Sequence, residues 1–127
     1  HPLNNKDMKE LKDYLHLYLG CKVEYGYEET KRIGTLVGKD DLVGWQVNTY
    51  KVLAPYQYVR DELIKPILRP LSDMTEDEKN NLSWEWKVDY DFKPIFRPDQ
   101  FLFLLSKNFD LFGLIESGLA IDKTTLK

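Results

Sequence analysis

The sequence predicts an α+β fold: an N-terminal helix, a small antiparallel sheet or SH3-like barrel, and a C-terminal pair of short helices. Three observations predict it. Apolar residues recur at helical spacing across residues 7–19. Short period-2 runs separated by turn residues then crowd residues 21–68. Finally, Pro98 and Asp110 each open an apolar stretch that closes at a helix-stop residue, Asn108 or Gly118. A chain of 127 residues with no low-complexity linker fits one domain, 1–127. Residues 1–6 are expected to be disordered, with His1-Pro2-Leu3 read as the remnant of a tag.

The elements follow in order. Met8, Leu11, Leu15 and Tyr18 lie on one face of a helix over 7–19, with Asp7 and Glu10 as a capping box and Gly20 as the stop. Cys21, Val23 and Tyr25 alternate with Lys22 and Glu24 as a half-buried strand. A second strand spans 32–37, stopped by Gly38-Lys39-Asp40-Asp41, and a third spans 43–53 with Trp45 and Val47 inward. Residues 56–68 hold one or two more strands. Thr75 and Glu78 form a second capping box, opening a short helix through Leu82. Trp84, Trp86, Val88, Tyr90 and Phe92 then fall on alternate positions, giving a strand whose apolar face is almost wholly aromatic. Helices beginning at Pro98 and Asp110 complete the chain.

Composition narrows the function. An apolar fraction of 43% supports a core without disulfides or metal, and a single cysteine, Cys21, rules out an intrachain disulfide and points to a reducing cytoplasmic compartment. The longest apolar run, Phe101-Leu102-Phe103-Leu104-Leu105, is far short of a membrane span, so no membrane partner is expected. A net charge of −3 argues against a protein whose main task is to hold phosphate backbone. One internal echo stands out: Lys65-Pro66-Ile67-Leu68-Arg69-Pro70 recurs as Lys93-Pro94-Ile95-Phe96-Arg97-Pro98. The bracketing prolines hold both segments extended, as rigid lead-ins to helices.

Three segments, 11–21, 65–75 and 109–122, carry a resemblance. They include Tyr14-Leu15-His16-Leu17-Tyr18-Leu19-Gly20-Cys21, Pro66-Ile67-Leu68-Arg69-Pro70-Leu71-Ser72 and Phe109-Asp110-Leu111-Phe112-Gly113-Leu114. Together they resemble a set of short, uncharacterised proteins of gut Bacteroidetes and of their phages and prophages. The resemblance implies a bacterial or phage origin. It brings no activity, cofactor or catalytic residue with it, and the stretch from Trp84 to Phe92 has no counterpart in it.

No chemistry-bearing constellation emerges. His16 and Cys21 read as an exposed helix residue and a packed thiol rather than a nucleophile pair. Glu28-Glu29, Asp40-Asp41 and Glu76-Asp77-Glu78 lack the spacing of a calcium loop and read as turns and caps. Residues 34–38 lack the Gly-Lys-Ser/Thr ending of a phosphate loop. No metal, cofactor or catalytic residue is assigned, and no enzymatic activity is expected. The leading reading is a non-enzymatic protein-interaction module, an accessory protein of a phage or mobile element. Trp84, Trp86, Tyr90 and Phe92 are its partner-binding or self-association face if that strand lies at an edge, and core if it points inward. The alternative is a nucleic-acid-binding barrel using Lys31, Arg32, Lys65, Arg69, Lys93 and Arg97. A hydrolase with convergent carboxylates, drawn from Asp89, Asp91 and Asp99, is a distant third.

Overall fold

The computed structural model describes residues 10–82, 87–88, 90 and 94–126. Its centre is a six-stranded mixed sheet built from β1 (Lys22–Tyr25), β2 (Arg32–Asp40), β3 (Gly44–Asn48), β4 (Tyr56–Val59), β5 (Ile64–Leu68) and β8 (Ile121–Asp122), in the order β4-β3-β2-β1-β5-β8. Neighbours are antiparallel except for β5 and β8, which pair in parallel. Two helices follow β5: α1 (Glu76–Asn81) and α2 (Pro98–Ser106), and between them β6 (Lys87–Val88) pairs with β7 (Pro94–Ile95) as a separate ribbon.

Each strand forms where apolar side chains alternate. Val23 and Tyr25 on β1, Leu36 on β2, and Trp45 and Val47 on β3 all turn to one face and are buried. The register also demands glycine at position 34, because a Cβ there would lie 2.6 Å from both the Asn48 carbonyl oxygen and Val47, with the Tyr25 ring at 3.1 Å. Packed on this inner face are Leu11, Leu15 and Tyr18 from the N-terminal segment and Leu114 and Ala120 from the C-terminal one. The Tyr18 hydroxyl joins the two segments, donating to the Phe109 carbonyl at 2.7 Å and accepting from the Leu111 amide. Burial pushes its pKa upward. A smaller cluster of Met74, Leu82, Leu104 and Phe109 lies under the two helices.

Several expectations are corrected. The N-terminal helix is replaced by two 3₁₀ turns, Leu11–Asp13 and Leu15–Tyr18, broken at Tyr14 (φ −122°, ψ −26°). Leu11, Leu15 and Tyr18 still face inward as their spacing requires. Tyr, His and Tyr at 14, 16 and 18 are indifferent helix formers. Seating the Tyr14 ring 4.8 Å from that of Phe112, and the Tyr18 hydroxyl on Phe109, outweighs continuing the helix. The second C-terminal helix is also absent. Asp110 does act as a cap, its carboxylate accepting from the amides of Phe112, Leu114 and Ile115. Gly113, however, sits inside the first turn at φ +71°, which no α-helix accommodates, so the chain runs on as turns to Gly118. The sheet is an open one: its ladder ends at β4 and β8 among the described residues, and the parallel β5–β8 pair departs from a purely antiparallel sheet or SH3-like barrel.

Other elements lie close to expectation. β2 extends to Asp40 through a bulge between Leu36 and Gly38, and β3 stops at Asn48, leaving 49–55 as a loop. Helix α1 opens on the Thr75–Glu78 capping box and α2 on Pro98. Of the aromatic strand, Trp84, Trp86 and Phe92 lie outside the described residues, and Tyr90 is fully exposed.

Candidate functional site

One face of the sheet is packed and the other is open. The antiparallel registers align Tyr56, Asn48, Thr35 and Lys22 in a row across β4, β3, β2 and β1, with Tyr58 beside Gln46 in the next row. Tyr56 and Tyr58 are about half exposed (52% and 47%), as is Ile33 (49%). This face is therefore a pleated surface that is neutral and tyrosine-rich at its β4–β3 end and carries the charged Lys22, Glu24 and Lys65 toward β1 and β5.

The loop 49–55 is built rather than slack. The Thr49 amide donates to the Pro55 carbonyl at 2.7 Å, the Thr49 hydroxyl donates to the Ala54 carbonyl at 2.8 Å, and the Asn48 side chain accepts from the Tyr50 amide. Tyr50 adopts φ +63°, a conformation that a bulky residue holds only when its surroundings require it. Its hydroxyl accepts from Lys22 Nζ at 2.7 Å and bonds to the Thr35 hydroxyl, while the ammonium also lies 4.7 Å from the ring centre. The hydrogen bond from Lys22 lowers the Tyr50 pKa. Held in this way, the loop presents Val52 (95% exposed) and Leu53 (98%) to solvent. The β2–β3 turn does likewise at the other end of β3: Asp40 accepts from the Leu42 and Val43 amides, and Leu42 is 97% exposed.

Among the described residues the outer edge of β4 is open as well. Hydrogen-bonded and non-bonded pairs alternate along an antiparallel ladder. The Thr49–Pro55 bond extends the β3–β4 register, so Val47↔Gln57 is a bonded pair and Asn48↔Tyr56 and Gln46↔Tyr58 are not. The Leu36 amide bond to the Cys21 carbonyl sets the same phase from the far side of the sheet, turning Asn48 toward β2 and Val47 toward β4. The peptide groups of Tyr56 and Tyr58 consequently point outward, away from β3.

Of the basic residues picked out in the sequence, Arg69, Arg97 and Lys31 are engaged by the protein's own acids. Arg69 is an internal clasp: its guanidinium makes a bidentate pair with Glu78 (2.7 Å each), bonds the Asp73 carboxylate and carbonyl at 2.9 Å, and lies 4.1 Å from the Phe109 ring centre. These contacts raise its pKa, the Glu78 hydrogen bond most of all, and hold Glu78 at about 2. Arg97 is paired with Asp99 on the surface of α2. Lys31 pairs with Glu24 and Glu28, and it lines with Lys65 a shallow cavity of about 130 Å³ whose other walls include Glu24, Glu28 and Glu62. Arg32 is exposed at the start of β2, and Lys93 lies outside the described residues. A cavity so small and mixed in charge is well below the roughly 300 Å³ of a typical small-molecule site.

Asp89 and Asp91 fall outside the described residues, and Asp99 is engaged by Arg97. Cys21 is fully buried, and burial pushes its thiol up to about 12. Among the described residues there is no group of three or more His, Cys, Asp and Glu side chains placed to hold a metal, and no helix is long and apolar enough to cross a membrane.

The features the sequence reading passed over are Tyr56, Tyr58 and the Val52-Leu53 tip. Their signal was the uncharged alternation Tyr56-Gln57-Tyr58-Val59 directly after a turn holding two adjacent aliphatics. No family model, curated protein or solved structure matches the chain.

Proposed function

We propose that the protein is a non-enzymatic interaction module that takes up another polypeptide on the open face and outer edge of β4. The observation that carries this reading is the outward peptide groups of Tyr56 and Tyr58 on an exposed, uncharged end strand. Such an edge is a template for an added strand, with backbone bonds giving affinity and the alternating tyrosines giving selectivity. Tyrosine also dominates binding hot spots, because it covers much area at little entropic cost. The nucleic-acid reading has less support, because Arg69, Arg97 and Lys31 are engaged by carboxylates. An accessory role in a phage or mobile element, implied by the resemblance of the three segments, is the biological setting proposed for this module.

The test is a selection of extended peptides from a random displayed library against the wild-type protein, followed by titration of the binders against Tyr58→Pro. Proline at this outward-facing edge position removes a free N–H and the half-exposed Tyr58 ring but no hydrogen bond of the sheet, so the fold should persist in a thermal melt. Binders are expected to lose at least about tenfold in affinity on that variant, a change equivalent to one or two backbone bonds. Failure to enrich any binder, or binders indifferent to Tyr58→Pro, would overturn the reading.

A further inference from the structure

The β4 edge is self-complementary. We infer that a second copy of this chain pairs with it, β4 against β4, antiparallel about a two-fold axis at Gln57. The inference rests on the reading of β4 as a strand acceptor and names its occupant.

The register follows from the peptide groups. Only residues with outward peptide groups can bond across the new seam, so Tyr56 and Tyr58 must face one another or themselves. A two-fold at Gln57 sets Tyr56 of each copy opposite Tyr58 of the other and uses every outward group of the strand Tyr56–Val59. A two-fold at Tyr58 would instead recruit Arg60, where the chain already turns away and the carbonyl accepts from the Leu63 amide. Like-charge repulsion does not oppose the pairing at Gln57, because Tyr56, Gln57, Tyr58 and Val59 are all neutral. The other end of the sheet is a poorer acceptor: β8 has two residues, one of them charged, and its Asp122 side chain bends the chain into the turn Lys123–Thr125.

The apolar tips supply the second argument. Val52 and Leu53 stand at the Tyr56 end of β4. Leu42 and Val43 stand at the other end, where Gly44 packs against Val59. Antiparallel pairing about Gln57 puts the Val52-Leu53 tip of one copy at the same end of the seam as the Leu42-Val43 turn of the other, about three strand spacings, or ~14 Å, away. The two-fold repeats that arrangement at the opposite end. Three nearly unshielded aliphatics per copy, Leu42, Val52 and Leu53, and the half-exposed Val43 are thereby gathered at the two ends of the seam. A strand seam flanked by two small apolar patches is less than the roughly 800 Å² per partner of a standard interface, so the dimer should be weak and concentration-dependent.

Sedimentation velocity over a concentration series tests this. The wild-type sedimentation coefficient is expected to rise with concentration, and Tyr58→Pro to suppress the rise while leaving the melt in place. The register is tested at Gln57, which is exposed and would lie opposite its own copy on the axis. Gln57→Lys and Gln57→Glu should each associate several-fold more weakly than wild type, and an equimolar mixture should recover association, because only the mixed pair sets opposite charges across the axis. A protein monomeric at every concentration overturns the self-pairing. So does association unchanged in Tyr58→Pro and in the charge variants. If the monomeric protein still binds selected peptides through Tyr58, the acceptor reading stands and only its occupant is wrong; if it binds none, both fall.

Discussion

Replacing Arg69 with methionine removes a clasp that joins three parts of the chain. The guanidinium is tied to Glu78 on α1, to Asp73 in the preceding turn, and to the Phe109 ring beyond α2. Its side chain is 14% exposed and that of Glu78 is 13%, so water screens the pair only in part. Breaking a fully buried pair costs about 3–5 kcal/mol, mostly because the remaining charge is stranded. Here Glu78 keeps its bond from the Thr75 amide and a little solvent, and methionine retains apolar contact with Phe109. The expected loss is therefore about 2–4 kcal/mol. For a domain of this size that lowers Tm by roughly 6–16 °C.

The loss should also depend on pH, and its direction follows from Glu78. Arg69 holds the Glu78 carboxyl at about 2, below its unfolded value near 4.5. The stabilisation is then complete above about pH 4.5 and disappears as the pH falls toward 2. Urea melts of wild type and Arg69→Met at stepped pH should show their largest gap near neutrality and a shrinking one below pH 4.5. A gap under about 1 kcal/mol at neutral pH, or one that does not shrink in acid, would refute the clasp.

Three further outcomes are expected. Tyr18→Phe, nearly isosteric, should cost about 1–2 kcal/mol in chemical denaturation, because it leaves the Phe109 carbonyl and Leu111 amide without their shared partner; an unchanged midpoint would mean that the junction is not held by that hydroxyl. Gly44→Ala should cost about 2–3 kcal/mol and weaken self-association together, since position 44 lies at φ +119° and a Cβ there would sit 2.6 Å from the Val59 carbonyl oxygen of β4; intact association in a destabilised variant would dissociate the edge from the seam. Native Cys21, with a thiol pushed up to about 12, should react with thiol reagents only as fast as the protein opens, and rapid labelling at neutral pH would contradict its burial.

Local chemistry determined the parts of this protein that depend on a few neighbouring residues. Thr75 with Glu78 specifies a helix start through two reciprocal bonds, Pro98 specifies another, and the alternation of Val23 with Tyr25 and of Trp45 with Val47 specifies which face is buried. The same local signals over-stated the helices at 7–19 and after Asp110. The spacing of Leu11, Leu15 and Tyr18 fits one face of an α-helix, and two 3₁₀ turns broken at Tyr14 bury the same three, while a cap cannot report a glycine that leaves the helical region three residues later. Tertiary structure alone decided the fate of Arg69 and the character of β4. From sequence, Arg69 is one member of a repeated Lys–Arg motif; in the fold, residues at 73, 78 and 109 close around it and convert a candidate surface cation into an internal tie. Tyr56 and Tyr58 become a candidate binding edge only because β4 ends the ladder and the register turns their peptide groups outward. That property belongs to the order of strands and the phase of their bonds, which no local run of residues encodes.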